Sequence, residues 1–278
     1  MAFEVFIEPG RVERNYWKDL WRYRELFYIL SWRDIKIRYK QTIIGVIWSV
    51  LRPLLTMMIF TFVFGQIAKF EPPPGINYAV LVFAGLLPWQ FFATGFSEAS
   101  NSLLGNERLI SKVYFPRLII PASAVITSLV DFLISLVLMF GLLVWFRVVP
   151  SINLVFLPVF IVLAFIASFG VGLWLTAVNV KFRDFKHVVP FLVQVGLYVS
   201  PVAFVSEKAA SIIPEKFRLL YYLNPMAGVI DGFRWCFFGD KTPLNWSGML
   251  ISLGVIAFFL FIGFRTFRRM ERSFADLI

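Results

Sequence analysis

A single boundary constrains this chain more than any other feature. Leu30 to Thr42, LSWRDIKIRYKQT, runs directly into IIGVIWSVLRPLL, Ile43 to Leu55. Arg33, Lys36, Arg38, Lys40 and Asp34 fall within nine residues and cannot cross lipid together, whereas Arg52 is the sole charge from Ile43 to Ala68. Such a break at Thr42 predicts a membrane surface, with a basic aromatic helix before it and a spanning helix behind it.

Hydrophobic residues make up 59% of the 278 and charged ones 16%, more apolar surface than a soluble domain of this length can hide. The fold class this predicts is an all-α integral membrane protein. A formal charge of +10 would point to nucleic acid in a soluble chain. Here it reads as the Lys and Arg excess of cytoplasmic loops, with no nucleic-acid partner. One cysteine, Cys236, excludes an internal disulfide. No cleavable leader is expected, because the first forty residues are charged throughout and their apolar run from Leu26 to Trp32 meets Arg33.

Residues 1–42 are expected as a cytoplasmic amphipathic segment. As one helix, Trp17–Tyr39 places Trp17, Trp21, Tyr28, Trp32, Ile35 and Tyr39 on one stripe beside several Arg and Lys. That suits a helix lying in the headgroup layer, or one packing on another subunit, and the two are compatible.

Residues 43–278 then form one membrane domain of six spans: Ile43–Ala68, Tyr78–Phe96, Leu118–Phe146, Leu154–Val178, Val188–Val205 and Trp246–Phe264. Spanning a core of about 30 Å takes roughly 20 helical residues, so the second, fifth and sixth are slightly short. Between spans five and six, residues 206–245 are expected on the outer side. Phe217–Gly239 is apolar but broken by Asn224-Pro225, Gly228, Asp231, Gly232 and Arg234, which predicts two short helices that dip in and return. Lys and Arg number nine in the N-terminal segment, three in Ser97–Arg117, three in Lys181–Lys186 and four from Arg265 onward, against seven on the alternate side. The positive-inside rule then places both termini in the cytoplasm.

Catalytic constellations are missing from the sequence. It holds no G-x-x-x-x-G-K-[ST] loop for ATP and no G-x-S-x-G elbow. His187, the one histidine, stands among basic residues without a Cys-His cluster, so no metal site is expected. No catalytic residue and no cofactor is therefore assigned to the chain. Ionisable groups inside spans are the remaining candidates. Arg52 either snorkels to the cytoplasmic headgroups or faces a polar pathway. Asp131, near the middle of the third span with Thr127, Ser128 and Ser135, fits an interhelical hydrogen bond. Ala164, Ser168 and Gly172 recur every four residues and favour close helix packing, and Gly228 and Gly232 repeat that spacing.

Two cytoplasmic loops carry more than a turn needs. In NERLISKVYFPRLIIP, Asn106–Pro121, the side chains of Leu109, Ile110, Val113 and Phe115 could fill a groove while Arg108, Lys112 and Arg117 stay polar. The other is NVKFRDFKHV, Asn179–Val188. Helices of this kind transmit force from a moving partner, or anchor to headgroups. Aromatic faces form a further set: Trp89, Phe92 and Phe96 at i, i+3 and i+7, and Phe60 and Phe64 at i and i+4. They face lipid, or line a channel that offers apolar contacts without fixed hydrogen-bond geometry.

Trp32–Thr42 leading into Gly45-Val46-Ile47-Trp48, the Asn106–Pro121 loop with Lys112 and Phe115-Pro116-Arg117, Phe182-Arg183-Asp184, and Tyr222-Leu223-Asn224-Pro225 together resemble the permease subunits of type-2 ABC exporters. The likeness is to the O-antigen, capsular polysaccharide and teichoic acid group and spans nearly the whole chain. It implies a homodimer in the bacterial cytoplasmic membrane, bound to two separate ATPase subunits that hold ATP and Mg. It also implies that Arg108, Lys112, Phe115, Pro116, Arg117, Arg183 and Asp184 belong to coupling elements, that Asn224, Pro225, Gly228 and Gly232 belong to an outer gate, and that the substrate is a lipid-linked polymer. No family role extends to Arg52. Other readings are an exporter of this architecture for drugs or other lipids, or an intramembrane enzyme or ion-coupled carrier, which would need more paired acids than Asp131 offers.

Overall fold

A computed structural model describes residues 16–40, 43–182, 184–206, 220–271 and 274, with backbone alone for 43–46. Among these the fold is helical, with no strand. Ten α-helices follow in order: α1 Tyr16–Arg22, α2 Arg24–Lys40, α3 Ile43–Phe60, α4 Tyr78–Ser102, α5 Glu107–Lys112, α6 Ile119–Trp145, α7 Leu157–Lys181, α8 Phe185–Val199, α9 Pro225–Phe238 and α10 Trp246–Met270.

Polar caps start the helices at the points where the apolar runs begin. The Asn77 side chain accepts from the backbone N–H of Ala79 at 2.9 Å to open α4, and Asn245 accepts from Gly248 at 2.9 Å to open α10. Asn224 caps α9 by accepting from Met226 at 3.0 Å, with Pro225 as the first helical residue, where no N–H is needed. Pro53 is accommodated inside α3, which continues as a π-helical stretch, Thr61–Ile67.

Five helices are long and apolar enough to cross a membrane: Ile47–Ile67, Tyr78–Ser102, Ile119–Trp145, Ile152–Lys181 and Trp246–Met270. They correspond to the expected first, second, third, fourth and sixth spans. The second and sixth run six residues further than expected, so the slight shortness read from hydropathy was a shortness of the apolar run, not of the helix. The expected fifth span differs more. Its helix, α8, ends at Val199, because Ser200 is extended ahead of Pro201, and 15 residues rise only about 22 Å. In the outer segment one short helix, α9, is described, and at 14 residues it is also too short to cross. Its expected companion belongs to the start of Phe217–Gly239, where 217–219 lie outside the described residues and Leu220–Tyr221 are helical before the turn into Asn224.

Burial sorts the spans. In the most apolar window of α4, 89% of residues are buried, against 17% for the first span, so α4 is the hub and α3 the rim. α6, α7, α9, α3 and α8 all pack on α4, and α10 packs on α7 and α9. The small residues of α7 act as expected: Ser168 Oγ donates to the Phe92 carbonyl at 3.3 Å and Thr176 to that of Ala99 at 2.8 Å. A second hydrophobic cluster closes the opposite end from α9, joining Tyr16, Leu30, Ile110, Phe115, Leu173, Phe267 and Phe274.

Candidate functional site

Asp131 is where the N-terminal helices meet the membrane domain. α2 packs along α6, and its last turn brings Arg38 Nη1 to within 2.5 Å of one Asp131 oxygen. Tyr39 donates to the other oxygen, as does Ser49 of α3 at 3.1 Å. Arg38 Nη2 also pairs with Glu98 of α4 at 2.7 Å. Burial, then the bond to Asp131, pushes the Tyr39 phenol up to about 12, so it remains a donor at any ordinary pH. The expected interhelical bond is thus present, with partners from α2 and α3. Thr127 and Ser135, expected nearby, instead bond carbonyls of their own helix.

The stripe on the N-terminal helices is interrupted only at Tyr23. Trp17, Trp21, Tyr28 and Trp32 are exposed, while Trp17 also stacks on Phe264 of α10 at 5.3 Å. Ile35 is half-buried, and Tyr39 leaves the stripe for Asp131.

The loop at residues 106–121 divides differently from expectation. Phe115, expected to anchor a partner, is only 4% exposed within its own chain, and Pro116 is buried beside it. Arg117 turns inward: its backbone N–H donates to Glu271 Oε1 at 2.9 Å and its guanidinium to the Glu271 carbonyl. Glu271 also accepts from Tyr16 at 3.4 Å and pairs with Arg268 at 3.7 Å, and Arg268 lies 3.5 Å from the Tyr16 ring. Three segments distant in sequence are tied at this point. The exposed tip consists of Arg108 and Lys112 of α5, then Val113 and Tyr114. In the second loop Phe182 and Asp184 are exposed, and Arg183 lies outside the described residues. Asn179 holds that loop against α4, donating to the Ser100 carbonyl at 2.9 Å.

The aromatic sets also separate. Trp89, Phe92 and Phe96 are 4%, 6% and 3% exposed, so in this conformation the row packs the protomer and offers no face to a passing chain. Gly196 of α8 makes room for Trp89: a Cβ there would fall 2.5 Å from the indole. Phe60, the last residue of α3, is buried, Phe64 in the π-helical stretch after it is half-buried, and Phe60 stacks with Tyr198 of α8 at 6.4 Å. Arg52 is exposed in the row Trp48, Arg52, Leu55, Ile59 and Phe62, which repeats every three or four residues. α8 has its own exposed face in Phe191, Val195 and Tyr198, so α3 and α8 present adjoining open surfaces.

At the other end α9 is buried almost all round. Gly228 packs on Ser252, and Gly232 lies against the Phe160 ring so closely that no side chain fits. Asn224 donates to Ser200 at 2.8 Å. Arg234 is fully buried, with Nη1 donating to the Phe204 carbonyl at 2.7 Å, Nη2 to Val202 at 2.7 Å and Nε to Leu81 at 3.3 Å. Asp231 accepts from Ser206 at 2.7 Å and Tyr222 at 3.1 Å. Arg234 satisfies carbonyls of the broken backbone after α8, as lipid surroundings require, while Asp231 and Asn224 tie the side chains of Ser206, Tyr222 and Ser200 to the same segment. Counting Arg234 as an outer-loop cation missed this role. The signal was an ionisable residue between Phe233 and Trp235 in an apolar run.

Among the described residues no group of three or more His, Cys, Asp or Glu could hold a metal ion. Five long apolar helices, four of them packed around or beyond the α4 hub, define a multi-pass helical membrane domain. Residues 25–238 match the ABC-2 type transporter membrane family, and the chain belongs to that family. It is 30% identical over 255 residues to the O-antigen export system permease protein RfbA of Klebsiella pneumoniae, covering 91% of this chain and 95% of that protein. With the Myxococcus xanthus protein of the same name it shares 28% over 262 residues, 94% and 98% of the two. The polysialic acid transport protein KpsM of Escherichia coli is 25% identical over 251 residues, 87% and 92%.

Proposed function

We propose that this chain is the permease subunit of an ATP-driven exporter that moves a lipid-linked polysaccharide of the O-antigen kind across the bacterial cytoplasmic membrane. The observation that carries this reading is likeness along nearly the full length to permeases named for O-antigen export. Two copies pair, and each engages a separate ATPase that binds ATP and Mg. Both termini lie in the cytoplasm, and α8 with residues 200–206 completes a sixth crossing.

On this reading the exposed tip Arg108, Lys112, Val113 and Tyr114, with Phe182, Arg183 and Asp184, meets the ATPase. Phe115, Pro116 and Arg117 support it from behind. The polymer slides along the open faces of α3 and α8 past Phe64 and Arg52, with Phe60 and the Trp89, Phe92 and Phe96 row as backing. Asn224, Pro225, Gly228 and Gly232 hold the outer gate segment. The test is reconstitution in lipid vesicles. The chain alone should not hydrolyse ATP, and with its ATPase it should translocate a lipid-linked glycan. Robust hydrolysis by the isolated chain, or no glycan movement by the complex, overturns the reading.

A further inference from the structure

α10 exposes one stripe along its length, Leu250, Phe258 and Phe261, and Arg265 and Arg269 continue it at i, i+4 beyond the last of these. Trp246 at its start is exposed, as interfacial tryptophans are. From Trp246 to Arg265 the helix rises about 28 Å, close to a hydrocarbon thickness of about 30 Å. Arg265 and Arg269 therefore reach the opposite headgroup plane just as the apolar stripe ends.

Lys181, the last residue of the neighbouring α7, joins them. Lys181, Arg265, Thr266, Arg269 and Met270 line an open cavity of about 470 Å³. Among the described residues none of these three cations is ion-paired, whereas Arg38 and Arg268 each have a carboxylate. Among the described residues two helices thus contribute three charges without a carboxylate partner, Lys181 lying 5.1 Å over the Phe182 ring, and a hydroxyl above an apolar track. That is the chemistry of an amphiphile with a phosphate head: charge and hydrogen bonds for the head, Phe258 and Phe261 for the chains.

We infer that Lys181, Arg265 and Arg269 bind the phosphate of an anionic phospholipid of the inner leaflet, whose acyl chains lie along α10. The leaflet rests on the cytoplasmic C-terminal end proposed above, and the two fail separately, since lipid retention in a nanodisc does not depend on which face is cytoplasmic.

The test uses the full chain in nanodiscs of phosphatidylcholine with or without phosphatidylglycerol, with retained lipid read by native mass spectrometry. Wild type should retain phosphatidylglycerol over phosphatidylcholine at least about tenfold, and Arg265→Gln alone should lose roughly fivefold, as removal of one interfacial cation does. The combined Lys181→Gln, Arg265→Gln and Arg269→Gln variant should lose the preference. A control removes three exposed cations elsewhere, Lys18→Gln, Arg22→Gln and Lys36→Gln, and should keep it. Equal losses in both triple variants mean diffuse attraction and overturn the site, as does absence of any preference in wild type. Displacement of the lipid by millimolar inorganic phosphate, or a tenfold preference for a polyprenyl diphosphate, overturns the phospholipid assignment. Arg265→Gln leaves Arg268 and Arg269 to hold topology, so the site stays testable if the triple variant fails to insert.

Discussion

Arg38, in the last turn of α2, pairs with Asp131 of α6 across 93 positions of sequence, and the same carboxylate accepts from Tyr39 and from Ser49 of α3. One acid therefore fixes the corner at which the N-terminal helices turn into the first span. Both side chains are about a quarter exposed, so the pair lies between a surface bridge and a buried one. A double-mutant cycle of Arg38→Gln and Asp131→Asn, read by thermal unfolding in detergent, should give a coupling on the order of 1 kcal/mol. Additive losses would show that the contact holds nothing.

Phe115 and Tyr114 are neighbours with opposite surroundings, buried and exposed respectively. Phe115→Ala should cost about 3–5 kcal/mol of stability, as large-to-small changes of buried aromatics do. Tyr114→Asp should leave thermal stability within about 0.5 kcal/mol of wild type and weaken capture of the ATPase. The paired measurement is an unfolding midpoint and a pull-down. If Tyr114→Asp captures ATPase normally, the loop tip is not the contact.

Arg234 fills the space beside Gly85, where a Cβ would lie 2.8 Å from its Nη2 and 3.2 Å from the Val202 carbonyl. Gly85→Ala should therefore destabilise by about 1–3 kcal/mol through overpacking. Arg234→Met should do worse, because it leaves carbonyls at 81, 202 and 204 without their donor. Membrane abundance and unfolding temperature check both. A fully stable Arg234→Met would mean that those carbonyls find other partners.

Topology is accessible through cysteine. In a Cys236→Ser background, Lys18→Cys and Val149→Cys, both exposed, should label oppositely in sealed cells with an impermeant thiol reagent. Val149→Cys should react and Lys18→Cys should not. The reverse pattern would invert the orientation derived from charge.

The spans were legible because hydropathy over twenty residues is a property of the chain alone, and five of six appear as long apolar helices. The fifth was overextended because Val202, Ala203 and Val205 are as apolar as a helix interior, while the break at Ser200-Pro201 is maintained by Arg234, a residue remote in sequence. Asp131 was recognisable as a bonded acid, but its partners come from other helices, where periodicity carries no information. The aromatic row at 89, 92 and 96 shows the same limit. Its spacing correctly marks one face of α4, yet α4 is buried on every face except a polar strip at Gln90, Thr94, Ser97, Glu98 and Asn101, so the spacing could not say what that face meets. Phe115 fits a groove as its pattern suggested, and the groove is in its own chain.

Because α4 is enclosed over most of its surface, displacing it would open voids against α6, α7 and α9 together. α3 has no such constraint. It touches its neighbours along a narrow strip and is pinned near its start by Asp131. A helix held at one end and free along most of its length can swing while the block behind it stays still. Motion in this protomer therefore has a cheap direction, set by where packing is absent, and force delivered to α2 reaches α3 through the short chain link, their direct packing and the carboxylate they share.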